Sequence, residues 1–161
     1  MYDDDFKKHC TNGNCVDDTD KINARCLYIF DTFFKNDSGL ENDAKGNIYI
    51  VQYILIWLSY VLSLIKINQD DNRTFFYNNY IEKHHTYKTK INGLTGYQNY
   101  KDLIDENNYI LSMDKSIIYK LYDAFSTLCD IYIEFDPKDL NCEKSSEKII
   151  TLVKISAIFM Y

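Results

Sequence analysis

Two residue types in this chain could do chemistry beyond packing: five cysteines and three histidines. The cysteines stand at Cys10, Cys15, Cys26, Cys129 and Cys142, three near one end of the chain and two near the other. In an oxidising compartment that distribution suits covalent ties between the two ends. An odd count leaves at least one thiol unpaired, or paired with something outside the chain. In a reducing compartment Cys26 and Cys129 would instead serve as small core residues. The stretch from Cys10 to Cys15 favours disulfides, because it reads as a polar loop in which core packing explains neither thiol. His9, Cys10 and Cys15 are zinc-type ligands, but no matching second pair follows them, so no metal site is expected.

The remaining candidates are weaker. Adjacent residues on a helix point about 100° apart, so His84 and His85 cannot chelate one metal well and read as an exposed or half-buried pair. Acid pairs such as Asp105-Glu106 sit beside lysines and read as solvated helix faces. The sequence has no glycine-rich phosphate loop, no nucleophile elbow and no paired-histidine metal helix. Neither a catalytic residue nor a cofactor is expected. A net charge of −6 gives no basic face, so nucleic acid is not an expected partner. Two glycosylation sequons, at Asn36 and Asn72, fall in expected loops. Chance matches are common in a chain this rich in asparagine.

These residues must be held by something, and the composition says what. A chain of 161 residues is the size of one ordinary domain and can bury about two-thirds of its unfolded surface. One proline and five glycines leave few breakers, which favours long helices over many short strands. Ile, Asn, Lys and Tyr dominate while arginine occurs only at Arg25 and Arg73. The four abundant types share AT-rich codons, so the bias reflects the source genome before it reflects function.

Periodicity then sketches the helices. Carboxylates at 18–20 can cap a first helix with the apolar stripe Ile22, Cys26, Ile29, Phe30 and Phe33. After a loop at 36–46 comes a long apolar helix at about 47–66. Its eighteen uncharged residues, 48–65, reach the minimum length for a membrane span. Gln52, Ser59, Ser63 and three tyrosines argue instead for the central helix of a bundle. A third helix is expected at about 74–90, a turn at Asn92-Gly93 and Gly96, and a short helix between 98 and 107. Asp114 caps a long helix with the stripe Ile117, Leu121, Phe125, Leu128 and Tyr132, ended by Asp136-Pro137. A last helix is expected from Cys142, carrying Ile149, Leu152, Val153 and Ser156. The expected fold is all-α: a disulfide-supported bundle of five to six helices around a central apolar helix. Residues 1–17 form a polar tail and 18–161 a single domain. Tyrosine and tryptophan could supply contact anchors, but Phe30, Trp57, Leu121 and Phe125 are expected in the core.

Six segments, read in order, resemble the Plasmodium interspersed repeat variant antigens, the Cir/Yir/Bir family. They are 20–28 (DKINARCLY), 53–60 (YILIWLSY), 76–81 (FYNNYI), 100–105 (YKDLID), 120–129 (KLYDAFSTLC) and Asn141-Cys142. The likeness extends over about 10–148. It implies a helical ectodomain exported to the surface of the infected erythrocyte or the parasite, non-enzymatic, serving immune evasion, with host-cell surface proteins or antibodies as partners. It implies structural disulfides among Cys10, Cys15, Cys26, Cys129 and Cys142, and a core role for Trp57. The chain departs from the family where a further cysteine is expected, at Ser145. The apolar run 149–161 is interrupted by Lys154 and is too short to span a membrane, so no anchor is expected in this chain. Competing readings are a small intracellular helical scaffold, a truncated non-functional copy, and a membrane protein anchored by 48–65.

Overall fold

A computed structural model describes residues 5–35, 49–67 and 71–134, with side chains described for these except at 5, 11 and 128–134. The described residues are helical and contain no strand. Helix α1, Asp18–Phe34, begins where Asp17 in extended conformation accepts the Asp20 N–H at 2.8 Å. Asp18 and Asp20 then lie in its first turn, where negative charge suits the helix dipole. Its inward face carries Ile22, Cys26, Ile29, Phe30 and Phe33, joined by Leu27 and Phe34, all buried.

Helix α2, Tyr49–Leu64, is the centre of the bundle. Ile50, Val51, Ile54, Leu55, Ile56, Trp57, Leu58, Ser59 and Leu62 are buried, a set that runs round most of the helix. Such a helix needs cover on several sides, and α1 and the later helices supply it. Among the described residues, no helix is long and apolar enough to cross a membrane.

The asparagine amide of Asn72 closes the far end of α2. Its Nδ2 donates to the carbonyls of Leu62 at 2.7 Å and Ile65 at 2.9 Å, two groups that the helix leaves without partners. Helix α3, Asn72–Phe76, starts at the Asp71 cap. It does not continue to residue 90 as the sequence predicts. The backbone widens into a π-turn over Tyr77–Ile81, with the Glu82 N–H bonded to the Tyr77 carbonyl at 2.9 Å. His84 then adopts an extended conformation, and its ring nitrogen accepts the Thr86 N–H at the start of α4, His85–Lys88. The interruption has no glycine or proline behind it; it turns Tyr87 inward, where it is fully buried.

Helix α5, Tyr100–Glu106, is capped by Asn99, whose Oδ1 accepts the Asp102 N–H at 2.9 Å. A 3-10 turn at Asn108–Ser112 leads to α6, Lys115–Glu134, whose first turn rests on the Asp114 carboxylate. The inward face of α6 keeps Leu121 and Phe125, as the sequence predicts, but starts at Ile118 rather than Ile117. Ile118 is 1% exposed and Ile117 is 47% exposed. With two adjacent isoleucines, the sequence offers either as the first inward residue, and packing on α2 selects the second.

Residues 1–17 are expected as a polar tail, and the described part of that range, 5–17, contains ordered turns. Two 3-10 turns, Asp5–His9 and Thr11–Gly13, form a hook that docks on α1. The expected helix from Cys142, the stop at Asp136-Pro137, the 36–46 loop and the side chains of Leu128, Cys129 and Tyr132 lie outside what is described.

Candidate functional site

The hook is closed by a disulfide between Cys10 and Cys15, with Cα atoms 4.9 Å apart. So short a loop turns through left-handed backbone at Asn12 (φ 55°) and Gly13 (φ 72°), which asparagine and glycine tolerate best. Phe6, Lys8 and His9 are among the hook side chains that meet α1. The Arg25 guanidinium lies 5.0 Å from the Phe6 ring centre, and the Lys8 ammonium 5.7 Å from that of Tyr28. His9 Nε2 approaches Asp31 Oδ2 at 3.6 Å.

Cys26 is not part of a disulfide. It is a fully buried free thiol on α1, which corrects the role that the family resemblance implies for it. Burial pushes this thiol up to about 12, with the Tyr87 hydroxyl opposing the shift. A thiol so rarely ionised is a poor nucleophile. The side chains of Cys129 and Cys142 are not among those described.

Three tyrosines reach back to α1 from much later in the chain. The Tyr80 hydroxyl donates to Asp20 at 2.8 Å, Tyr87 to Asn23 at 2.9 Å and Tyr100 to Asp31 at 2.8 Å. Burial raises all three tyrosines above their ordinary range, helped by Asp20 beside Tyr80, Cys26 beside Tyr87 and Asp31 beside Tyr100, so each stays a protonated donor. None is placed to act as a base. Nothing in the sequence pointed to these pairings, because the partners are 60 to 69 residues apart.

The histidine pair at 84 and 85 stacks ring on ring, with centres 5.1 Å apart. Among the described residues no group of three or more His, Cys, Asp or Glu could hold a metal ion. Asp105 is neutralised by Lys101 at 2.6 Å, and Lys101 also pairs with Glu82 at 3.2 Å. These are the charge networks of a solvated face, worth little individually.

The aromatic side chains divide into core and surface. Phe30 and Trp57 are buried. Leu121 and Phe125 are only half-buried, because α6 lies on the outside of the bundle and packs mainly on α2. There Phe125 meets Tyr53 edge-on at 4.5 Å, and Tyr122 stacks on Tyr60 at 3.7 Å, with Tyr119 edge-on to Tyr60 at 5.3 Å. Ile117 and Tyr119 on α6, Tyr49 and Leu64 at the two ends of α2, Tyr109 and Val16 are exposed.

An exposed loop with an ordered base lies at 92–98. Asn92, Gly93, Thr95, Gly96 and Gln98 are exposed, whereas Ile91 and Tyr100 at its feet are buried. The Ile91 N–H bonds to the Gln98 carbonyl at 2.8 Å, and the Gln98 N–H to Asp102 Oδ2 at 2.9 Å. Gly93 and Gly96 both take left-handed backbone, at φ 86° and 84°. Loops held by a rigid base are where binding and catalytic residues concentrate.

A family model described as Plasmodium variant antigen protein Cir/Yir/Bir matches residues 1–157. No curated protein and no solved structure matches the chain.

Proposed function

The chain belongs to the Plasmodium variant antigen family Cir/Yir/Bir, and on that premise we propose that it is a displayed, non-enzymatic ectodomain acting through its outer surface in immune evasion. The observation that carries this reading is the family match across nearly the whole chain. The arrangement of the described residues agrees with it. Buried hydroxyls and the Cys26 thiol are protonated structural groups, and the tip of the 92–98 loop is polar and exposed. On this reading the protein is exported to the surface of the infected erythrocyte or of the parasite. Its partners are antibodies and host-cell surface proteins, met through features such as the 92–98 loop rather than through nucleic acid.

Staining of infected red cells, intact and then permeabilised, with antibody against residues 92–98 tests the proposal. Display predicts signal on intact cells. Signal restricted to permeabilised cells would overturn it in favour of an internal product.

A further inference from the structure

His9 is a poor place for a positive charge. Its side chain is 10% exposed, and its buried Nε2 has no hydrogen-bond partner. Among the described residues the carboxylate facing it, Asp31, is already engaged: Oδ1 accepts the Tyr100 hydroxyl at 2.8 Å and pairs with Lys35 Nζ at 3.1 Å. Lys8 from the hook, Lys35 from α1 and His84 from the start of α4 also face the imidazole. A proton on His9 therefore adds a positive charge near those of Lys8 and Lys35, at a nitrogen that is itself out of water.

We propose that the N-terminal hook, residues 5–15, is an acid-released latch: neutral His9 seats it against α1, and protonation of His9 frees it. Release opens the Phe6–Arg25 and Lys8–Tyr28 contacts and uncovers the disulfide at Cys10, which is 7% exposed when docked. The inference is independent of where the protein is displayed.

The sign follows from linkage. Burial lowers His9 from its ordinary range; Asp31 opposes that shift, and Lys8, Lys35 and His84 add to it. Burial and the neighbouring His85 lower His84 in the same direction. In the freed hook His9 returns to about 6.5, so the free state binds more protons. The docked state is fully favoured above that pH and loses ground below it, by up to about tenfold per pH unit for one proton.

The test is the rate at which a water-soluble phosphine reduces the Cys10–Cys15 disulfide in the full chain, from pH 7.5 to 5.0. Rates are divided by those of a disulfide-closed peptide of residues 5–15. The latch predicts a relative rate that rises as pH falls below 6.5, and a flat profile in His9→Gln. A flat wild-type profile, or an equal rise in His9→Gln, overturns it. Should the variant fail to fold, the His9 imidazole is titrated by NMR in the wild-type chain. A midpoint below that of the peptide supports the latch; one at or above it overturns it.

Discussion

The Tyr87 hydroxyl donates to Asn23 Oδ1 at 2.9 Å, in a position where neither side chain meets bulk water. The same hydroxyl faces the Cys26 thiol. One short helix is thereby fixed to α1 by a polar contact in an otherwise apolar core. Buried amides and hydroxyls are costly when left without partners, so this contact acts mainly through the penalty of breaking it.

Tyr87→Phe should therefore lower unfolding stability by about 1–3 kcal/mol, the cost of stranding a buried acceptor. Chemical denaturation reads the change. Pairing it with Asn23→Leu should cost less than the two single substitutions summed, because the second removes the group that the first strands. Strict additivity would show that the hydroxyl and the amide are not coupled.

How the sequence related to these contacts is instructive. The α1 stripe was legible because five apolar residues repeat at helical spacing, and α2 because it is apolar on nearly every side. Both properties are local. The break at His84 was not legible: no breaker residue marks it, and it is set by where Tyr87 has to go. Most of the α6 stripe was legible in the same way as that of α1, but its first residue turned on the choice between Ile117 and Ile118, which only contact with α2 decides. The hook was hidden because its residues are polar, and its docking rests on ring–cation contacts and on His9. In the same way Cys26 resembled a disulfide cysteine by its place in a family pattern, while its surroundings make it a core thiol.

That assignment can be checked directly. Treatment of the native chain with iodoacetamide at pH 8 should leave Cys26 unmodified, since burial both shields the thiol and pushes it up to about 12. In urea the same residue should react fully, while Cys10 and Cys15 remain linked. Recovery by mass spectrometry of a disulfide-linked peptide containing Cys26 would refute the free-thiol assignment.

Asn72 heads a glycosylation sequon, Asn72-Arg73-Thr74, yet both partners in that motif are occupied. The amide caps α2, and the Thr74 hydroxyl donates to Asp71 Oδ2 at 2.6 Å. Expression through a eukaryotic secretory pathway should leave Asn72 without glycan in the folded chain, as intact mass will show. Asn72→Ala should cost about 1–3 kcal/mol because two helix-end carbonyls lose their donor. Asn72→Asp should be worse, since a carboxylate cannot donate and meets the negative end of the helix dipole.

Acid should weaken the fold further at carboxylate caps. Burial would raise Asp71, but the Thr74 hydroxyl, the Arg73 N–H and the Arg73 charge outweigh it and leave it below the ordinary carboxylate range. A lowered folded value contributes stability that is present above about pH 4 and is lost as pH falls through the folded value. Asp71→Asn should flatten the decline of thermal stability between about pH 4 and 2.5. An unchanged slope would place the acid sensitivity elsewhere.

The 92–98 loop gives the prediction closest to function. Gly96 has φ 84°, and a methyl group there would meet nothing within 4 Å. The cost of Gly96→Ala is then conformational alone, about 1–2 kcal/mol for placing a side chain in left-handed backbone. Because the loop is fixed at its feet by Ile91 and Gln98, the strain should be relieved by changing the shape of the tip rather than by unfolding the bundle. Antibodies raised against the folded chain and selected for the loop should bind Gly96→Ala less well than wild type. Antibodies raised against the linear peptide should not distinguish the two. If both classes bind equally, the tip is read as sequence alone, and its fixed geometry plays no part in recognition.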